Sequence, residues 1–357
     1  MSRLAPRLDG FPPEIARRLA MTVSCPDADD IPKVAHAGES RDHDGRRVQI
    51  MHNGLLVEEG GYYGDWMTET IRALRGHHEP QEELVFHRVA ERLAEDGGAP
   101  VMIEFGSFWT YYGLWFCHAL PGSRVIALEP DPQYLEVGKR NAALNGYTDR
   151  ITFHAGAIGD QPHQPVAFQA ESDGQTYDVV QHDLTSLMSV SGLTQADLVL
   201  ADVQGAESLL IDQARGDFES GRVRFLIVST HHHSISGDAL THQQALQALT
   251  DAGGHVIAEH SVGESFSGDG LIAVSFDDRD KNFQVPVSHA RYRDSLFGEL
   301  EHDLATATAA RTTAEHTAAT AQQLAEQLQA HIDAIHATKT WRWAKAPREL
   351  YARIKNR

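Results

Sequence analysis

The chain has 357 residues, 41% of them hydrophobic, enough for one sizeable domain with accessory segments. Its formal net charge of −19 argues against a surface that grips nucleic acid phosphate, so a neutral small molecule or glycan is the easier partner. Only two cysteines occur, Cys25 and Cys117, which excludes a disulfide framework and a cysteine-based zinc site; no apolar run nears the roughly 18 to 20 residues of a membrane span, and the expected location is cytoplasmic.

Residues 1–46 are rich in Pro, Asp, Arg and Gly without periodicity and are expected to be irregular or loosely attached. Residues 47–79 read as a cap: RRVQIMHNGLLVEEGGYYGDW alternates and turns like a short hairpin, and DWMTETIRALRG is a helix ended by Gly76. A main domain then spans 80–278. Pro80 suits a first helical position and Glu82 and Glu83 favour the positive end of the helix dipole, which predicts a helix to about Glu95.

Short apolar strands alternate with helices from there on, the pattern of a mostly parallel sheet covered on both faces. Strands are predicted at Val101 to Phe105, Arg124 to Leu128, Ile151 to Ala155, Leu198 to Val203 and Arg224 to Ser229, with a helix after the first, second, fourth and fifth, and after the third a strand-rich interlude from Val166 to Gln181 and then a helix beyond Asp183. Two final strands, His255 to Glu259 and Leu271 to Phe276, have no helix between them and predict an antiparallel terminal hairpin. The fold class is therefore α/β, a Rossmann-like doubly wound sheet with an antiparallel end, as in class I methyltransferases rather than dehydrogenases.

Glu104-Phe105-Gly106-Ser107 closes the first strand where backbone must turn and approach a ligand, so Glu104, Gly106 and Ser107 are candidate cofactor residues. Glu129 closes the second strand, where an acid can accept both ribose hydroxyls of a nucleoside. The acid at Glu104 favours S-adenosylmethionine over a nicotinamide dinucleotide. Asp183 could reach the adenine amino group or simply cap the following helix. Asp202-Val203-Gln204-Gly205-Ala206-Glu207 ends the fourth strand, where such folds place substrate, and His231 and His232 follow the fifth strand on the same edge. These three, Asp202, His231 and His232, are the candidate catalytic residues, since deprotonating a hydroxyl needs a base. Asp202, Glu207 and His231 together offer an oxygen-rich set compatible with Mg or Mn.

The stretches VMIEFGSFWTYYGLWF, VIALEPDPQYLEVGKRNAALNG and LVLADVQGAESLL resemble the FkbM family of class I S-adenosylmethionine-dependent methyltransferases, whose members methylate hydroxyls of glycans, polyketides and other small molecules. Gln204 stands where that family usually has an acid and Thr110 where it usually has glycine. The resemblance implies that Glu104, Gly106 and Glu129 bind the cofactor and that Asp202 and Glu207 lie near the acceptor. By the same resemblance Tyr62, His77, His78 and Glu79 could close over both ligands.

After a linker at 279–298, residues 299–337 form an Ala-, Gln- and Glu-rich helix whose apolar residues recur in alternating steps of three and four, from Leu300 and Leu304 through Ala314, Ala318, Ala321 and Ala325 to Leu328, Ile332 and Ile335. That is a coiled-coil seam and predicts a homo-oligomer. Residues 338–357, KTWRWAKAPRELYARIKNR with the preceding threonine, are basic and aromatic and suit an anionic membrane surface or an acidic partner; the Trp-Arg end resembles those of sugar-modifying and glycosyltransferase proteins, which implies a glycosyltransferase contact. The expected activity is O-methylation of a sugar hydroxyl; the alternative is an inactive methyltransferase-like scaffold in a polysaccharide-assembly complex.

Overall fold

The computed structural model describes residues 3–290 and 298–344, with positions 347, 351 and 354. The chain divides into two units, 1–291 and 292–357. In the first, nine strands form one sheet: β4 (Val101–Phe105), β5 (Arg124–Glu129), β6 (Ile151–Ile158), β7 (Pro165–Gln169), β8 (Thr176–His182), β9 (Ala196–Ala201), β10 (Val223–Thr230), β11 (His255–His260) and β12 (Gly270–Ser275). Their order across the sheet is β11-β12-β10-β9-β4-β5-β6-β8-β7. The strands β4, β5, β6, β8, β9 and β10 pair in parallel with one another, while β12 runs antiparallel between β10 and β11. The expected terminal hairpin is thus present, and the predicted interlude resolves into the antiparallel pair β7 and β8.

The strands are continuous Val, Ile, Leu and Ala runs because both faces are covered. One face packs under α3 (Pro80–Asp96), α4 (Tyr111–Ala119) and α5 (Pro132–Leu144), the other under α6 (Leu184–Val190), α7 (Glu207–Glu219) and α9 (Thr241–Asp251). Asp131 caps α5 by accepting from Gln133 and Tyr134, and Asp183 caps α6 in a capping box with Ser186. The order in which strands are added to the sheet reverses between the parallel neighbours β4 and β9, and the Asp202 amide donates to the Phe105 carbonyl (3.0 Å) across that point. Ligands of open α/β sheets bind outside the carboxyl ends there.

The expectation of a loose N-terminal segment is corrected. Residues 13–24 form α1 (Pro13–Ser24), and β1 (Ser40–His43), β2 (Arg46–Ile50) and β3 (Leu56–Glu58) make a small antiparallel sheet before α2 (Asp65–Ala73). Leu19 and Val23 of α1 pack with Ala73 and Leu74 in their own apolar cluster. Thr22 donates to the Phe266 carbonyl (2.9 Å), Arg18 to the Ser267 carbonyl (2.7 Å), and Asp27 accepts from the Ser288 amide (2.9 Å). Proline and charge content hid an element whose partners lie about 250 residues away.

The second unit holds α10 (Gly298–Ala337) and, after a break at Thr338, α11 (Lys339–Trp343). Residues 291–297 of the linker and half of the basic aromatic tail lie outside the described residues. Among the described residues no helix is long and apolar enough to cross a membrane.

Candidate active site

A cleft of about 720 Å³ opens at the carboxyl ends of β4, β5, β6 and β9. Its floor is Gly106, which has φ 73°; a Cβ there would sit 1.8 Å from the Asp202 carbonyl, so only glycine lets β4 turn beside β9. Downstream, Phe108 (φ 42°) and Thr110 (φ 62°) take left-handed conformations where a glycine-rich loop would ordinarily be used. Thr110 fits because Gly138 of α5 yields its space: a Cβ at Gly138 would lie 2.3 Å from Thr110 Oγ1.

Glu129 lines the cleft with its oxygens held by backbone, Oε2 accepting from the Phe108 amide (2.7 Å) and Oε1 from the Asp131 amide (2.9 Å). Burial pushes its pKa up to about 7 against those two hydrogen bonds. Each oxygen keeps a lone pair for a ribose hydroxyl. Aromatic faces close the cleft: Phe108 stacks on Tyr134 with centroids 3.6 Å apart, and Tyr62 stacks on Trp109 at 4.6 Å. Gln204 donates to the Tyr63 hydroxyl (3.1 Å), tying the cap to the loop after β9.

Other expected cofactor residues stand elsewhere. Glu104 is buried beneath α4, its Oε2 2.7 Å from where a Gly113 Cβ would be, because strand alternation turns it away from the cleft. Burial holds its carboxyl well above the usual range. Ser107 is buried and reaches the cleft region only through its amide, which donates to the Leu128 carbonyl (3.0 Å). Asp183 does not line the cleft; its Oδ1 accepts from the Ser186 amide (2.6 Å), which settles its two readings in favour of the cap. Asp131, Tyr134 and Glu171 line the cleft and were missed, although Asp131-Pro132 at a helix start was a readable signal.

Asp202 emerges at the end of β9 with its side chain 34% exposed, and its Oδ1 lies 3.1 Å from His231 Nε2. The opposite ring nitrogen, Nδ1, lies 2.5 Å from Oε1 of the fully buried Glu207, which also accepts from the Gly205 amide (2.9 Å). Burial alone would push the His231 pKa down, but its hydrogen bonds to Asp202 and Glu207, helped by Asp269, hold it up to about 11. The imidazole is therefore a cation at neutral pH, which corrects its expected role as a base. This geometry also fails the expected metal set, since Asp202 and Glu207 occupy opposite edges of the ring and the three groups cannot converge on one ion. Among the described residues the group whose ligand atoms do converge, within 4.8 Å, is His52, His77 and Glu83, all buried. The His52 and His77 rings stack 4.2 Å apart and 16° from parallel, so both cannot point in-plane at one ion. His232 is displaced from the site: its ring nitrogen accepts from the Ser234 amide and caps the short helix α8 (His233–Ser236).

The expected lid divides in two. Tyr62 does line the cleft. His77 and His78 are instead core pins, 0% and 1% exposed, both engaging Glu83, with the His78 amide donating to Glu83 Oε1 (2.9 Å). Although burial pushes it up, the two imidazoles hold the Glu83 carboxyl well below the usual range. Glu79 precedes α3 and lies near Glu82, Asp202 and Asp269; burial, then that shared negative charge, raises its pKa well above the carboxylate range. Glu82, which bonds the Ser229 hydroxyl, is pushed up to about 7 by burial. Asp269 lies 3.8 Å from His231 Nε2 and 3.9 Å from Arg18, and Arg18 lies over the Trp66 ring at 5.3 Å. Glu82, Asp269 and Arg18 gave no local signal in sequence, because three distant segments bring them to the Asp202 edge.

Comparison with known proteins bears on this geometry. A release factor glutamine methyltransferase from Chlorobaculum tepidum is 31% identical over 113 residues, 30% of this chain and 36% of that protein. The O-methyltransferase imqG from Aspergillus flavus is 36% identical over 64 residues, 18% of this chain and 26% of that protein. The chain thus spans about a third and a quarter of the lengths of these relatives. Among solved structures, the precorrin-6y C5,15-methyltransferase from Geobacter metallireducens is similar over 54% of this chain and 88% of its own, with 16% identity and a TM-score of 0.36. The methyltransferase FkbM domain model matches residues 96–256, the stretch that supplies Gly106, Glu129, Asp202, Glu207 and His231. From the end of α3 into β11, this chain is therefore similar to methyltransferase FkbM domains.

Proposed function

We propose that the protein is an S-adenosylmethionine-dependent O-methyltransferase acting on a sugar hydroxyl. The observation that carries the reading is Asp202, a partly exposed carboxylate in the cleft, fixed by a buried imidazolium at the switch point of the sheet. The cleft suits the cofactor: Gly106 allows close approach, and Glu129 offers paired acceptors. Bound there, S-adenosylmethionine would supply an electrophilic methyl group.

Asp202 would accept the hydrogen bond of the acceptor hydroxyl and take its proton as the oxygen attacks. His231, already protonated, holds that carboxylate in place and is itself fixed by Glu207. A sugar is favoured because Tyr62 and Tyr63 line the cleft together with Asp202, and the Tyr62 hydroxyl lies near Glu79 and Asp269, an aromatic and acidic lining that suits the C–H face and the hydroxyls of a pyranose.

Calorimetry with S-adenosylhomocysteine and a methyl-transfer assay over a panel of sugars test this reading. Asp202→Asn should leave cofactor binding within a few fold and cut transfer by roughly 10² to 10⁴. With both imidazole nitrogens occupied, transfer should be indifferent to excess chelator; a loss restored by Mg or Mn would put an ion beside Asp202 after all. Cofactor binding without transfer to any acceptor would favour the scaffold reading, and absence of binding would remove the enzyme reading.

A further inference from the structure

Helix α10 leaves an apolar stripe bare. Leu304, Leu328, Ile332 and Ile335 are 69%, 53%, 44% and 51% exposed. Its threonines are satisfied within the helix, Thr312 donating to the Thr308 carbonyl and Thr320 to the His316 carbonyl (both 2.9 Å). A helix of 40 residues is about 60 Å long, and a strip about 10 Å wide along it amounts to roughly 1,200 Å² over two strands, the lower bound for a stable interface. Exposed apolar side chains in heptad register over that length do not hold a helix straight in water unless a matching stripe covers them.

We infer that this stripe pairs with the same stripe of a second copy of the chain, in antiparallel orientation. The seam is large at both ends and small in the middle, with Leu304 at one end, Leu328, Ile332 and Ile335 at the other, and Ala314, Ala318, Ala321 and Ala325 between. Run antiparallel, Leu304 of one copy meets Ile335 of the other, Ala318 meets Ala321, and the backbones approach most closely at the alanines. Arg311 decides the direction. It occupies a seam position, so a parallel pair would bring two guanidinium groups together in the core, a like-charge contact that destabilises. The antiparallel pair sets Arg311 beside Leu328 of the second copy, its stem covering the leucine while its head keeps Glu315 of its own helix (3.5 Å).

Sedimentation of the full chain at micromolar concentration should give a dimer. A mixture of Leu304→Cys and Ile335→Cys chains, after subunit exchange and mild oxidation, should form a mixed disulfide that neither variant forms with itself. The native Cys25 and Cys117, 0% and 1% exposed, stay out of this reaction. A monomer, a trimer or larger assembly of the unaltered chain, or a Leu304→Cys chain that cross-links to itself, overturns the proposal. Ala318→Glu provides a control for the crossing point: it should shift the dimer to monomer, and a dimer undisturbed by a carboxylate at the closest approach overturns it as well.

Discussion

His231 shows what one side chain does when all its hydrogen-bonding capacity is committed. Its folded pKa of about 11 lies above the ordinary 6.5, so the stability it contributes is whole below 6.5 and is lost as pH rises towards 11. His231→Ala leaves Glu207 buried without its cation and should cost about 3 to 5 kcal/mol in urea unfolding, more than Asp202→Asn, whose carboxylate is partly solvated. Glu129 also has a raised pKa, but its titration is read in cofactor affinity. Its carboxyl reaches about 7, so S-adenosylhomocysteine affinity should fall roughly tenfold between pH 8 and pH 6 as the acceptor is protonated, and Glu129→Gln should abolish that slope. A flat profile in the unaltered chain would mean that Glu129 does not touch the cofactor.

At the scale of elements, the α/β alternation was readable because strands buried on both faces are apolar throughout and helix starts carry Pro80, Asp131 and Asp183. Strand alternation at Glu104 was not readable: an acid at a strand end looks like a ligand whichever face it takes, and here it faces α4. The helix α1 was missed because its stability comes from contacts distant in sequence. Leu19 is 0% exposed against Ala73 and Leu74, so Leu19→Ala should destabilise the first unit by about 2 to 5 kcal/mol. A loosely attached segment would show no change in the denaturation midpoint. Hydrogen exchange should also quicken in residues 264–269, where the Phe266 and Ser267 carbonyls accept from Thr22 and Arg18.

For the whole molecule, the matched stretch 96–256 supplies the cofactor cleft and Asp202, while Arg18, Glu79, Glu82 and Asp269 come from either side of it. Gly106 and Glu129 are therefore legible in local motifs, and the charged edge beside Asp202, assembled from three separated segments, is not. Substitution of Arg18 or Asp269 by alanine should raise the acceptor KM while leaving S-adenosylhomocysteine affinity within about twofold. Equal loss of both would show that these residues support the fold rather than the acceptor.

The insertion of β12 between β10 and β11 has a consequence for synthesis. When a ribosome has released β10 and β11, β10 can pair with β9 but β11 cannot take its final place, because the strand that separates them, Gly270–Ser275, is still to come. Until then the Val223–Thr230 edge stays unpaired, an apolar strand open to any passing chain. The nascent protein thus completes its sheet only after Ser275 has been made, and a holdase that covers β10 in that interval would raise the yield of folded protein more than one acting earlier.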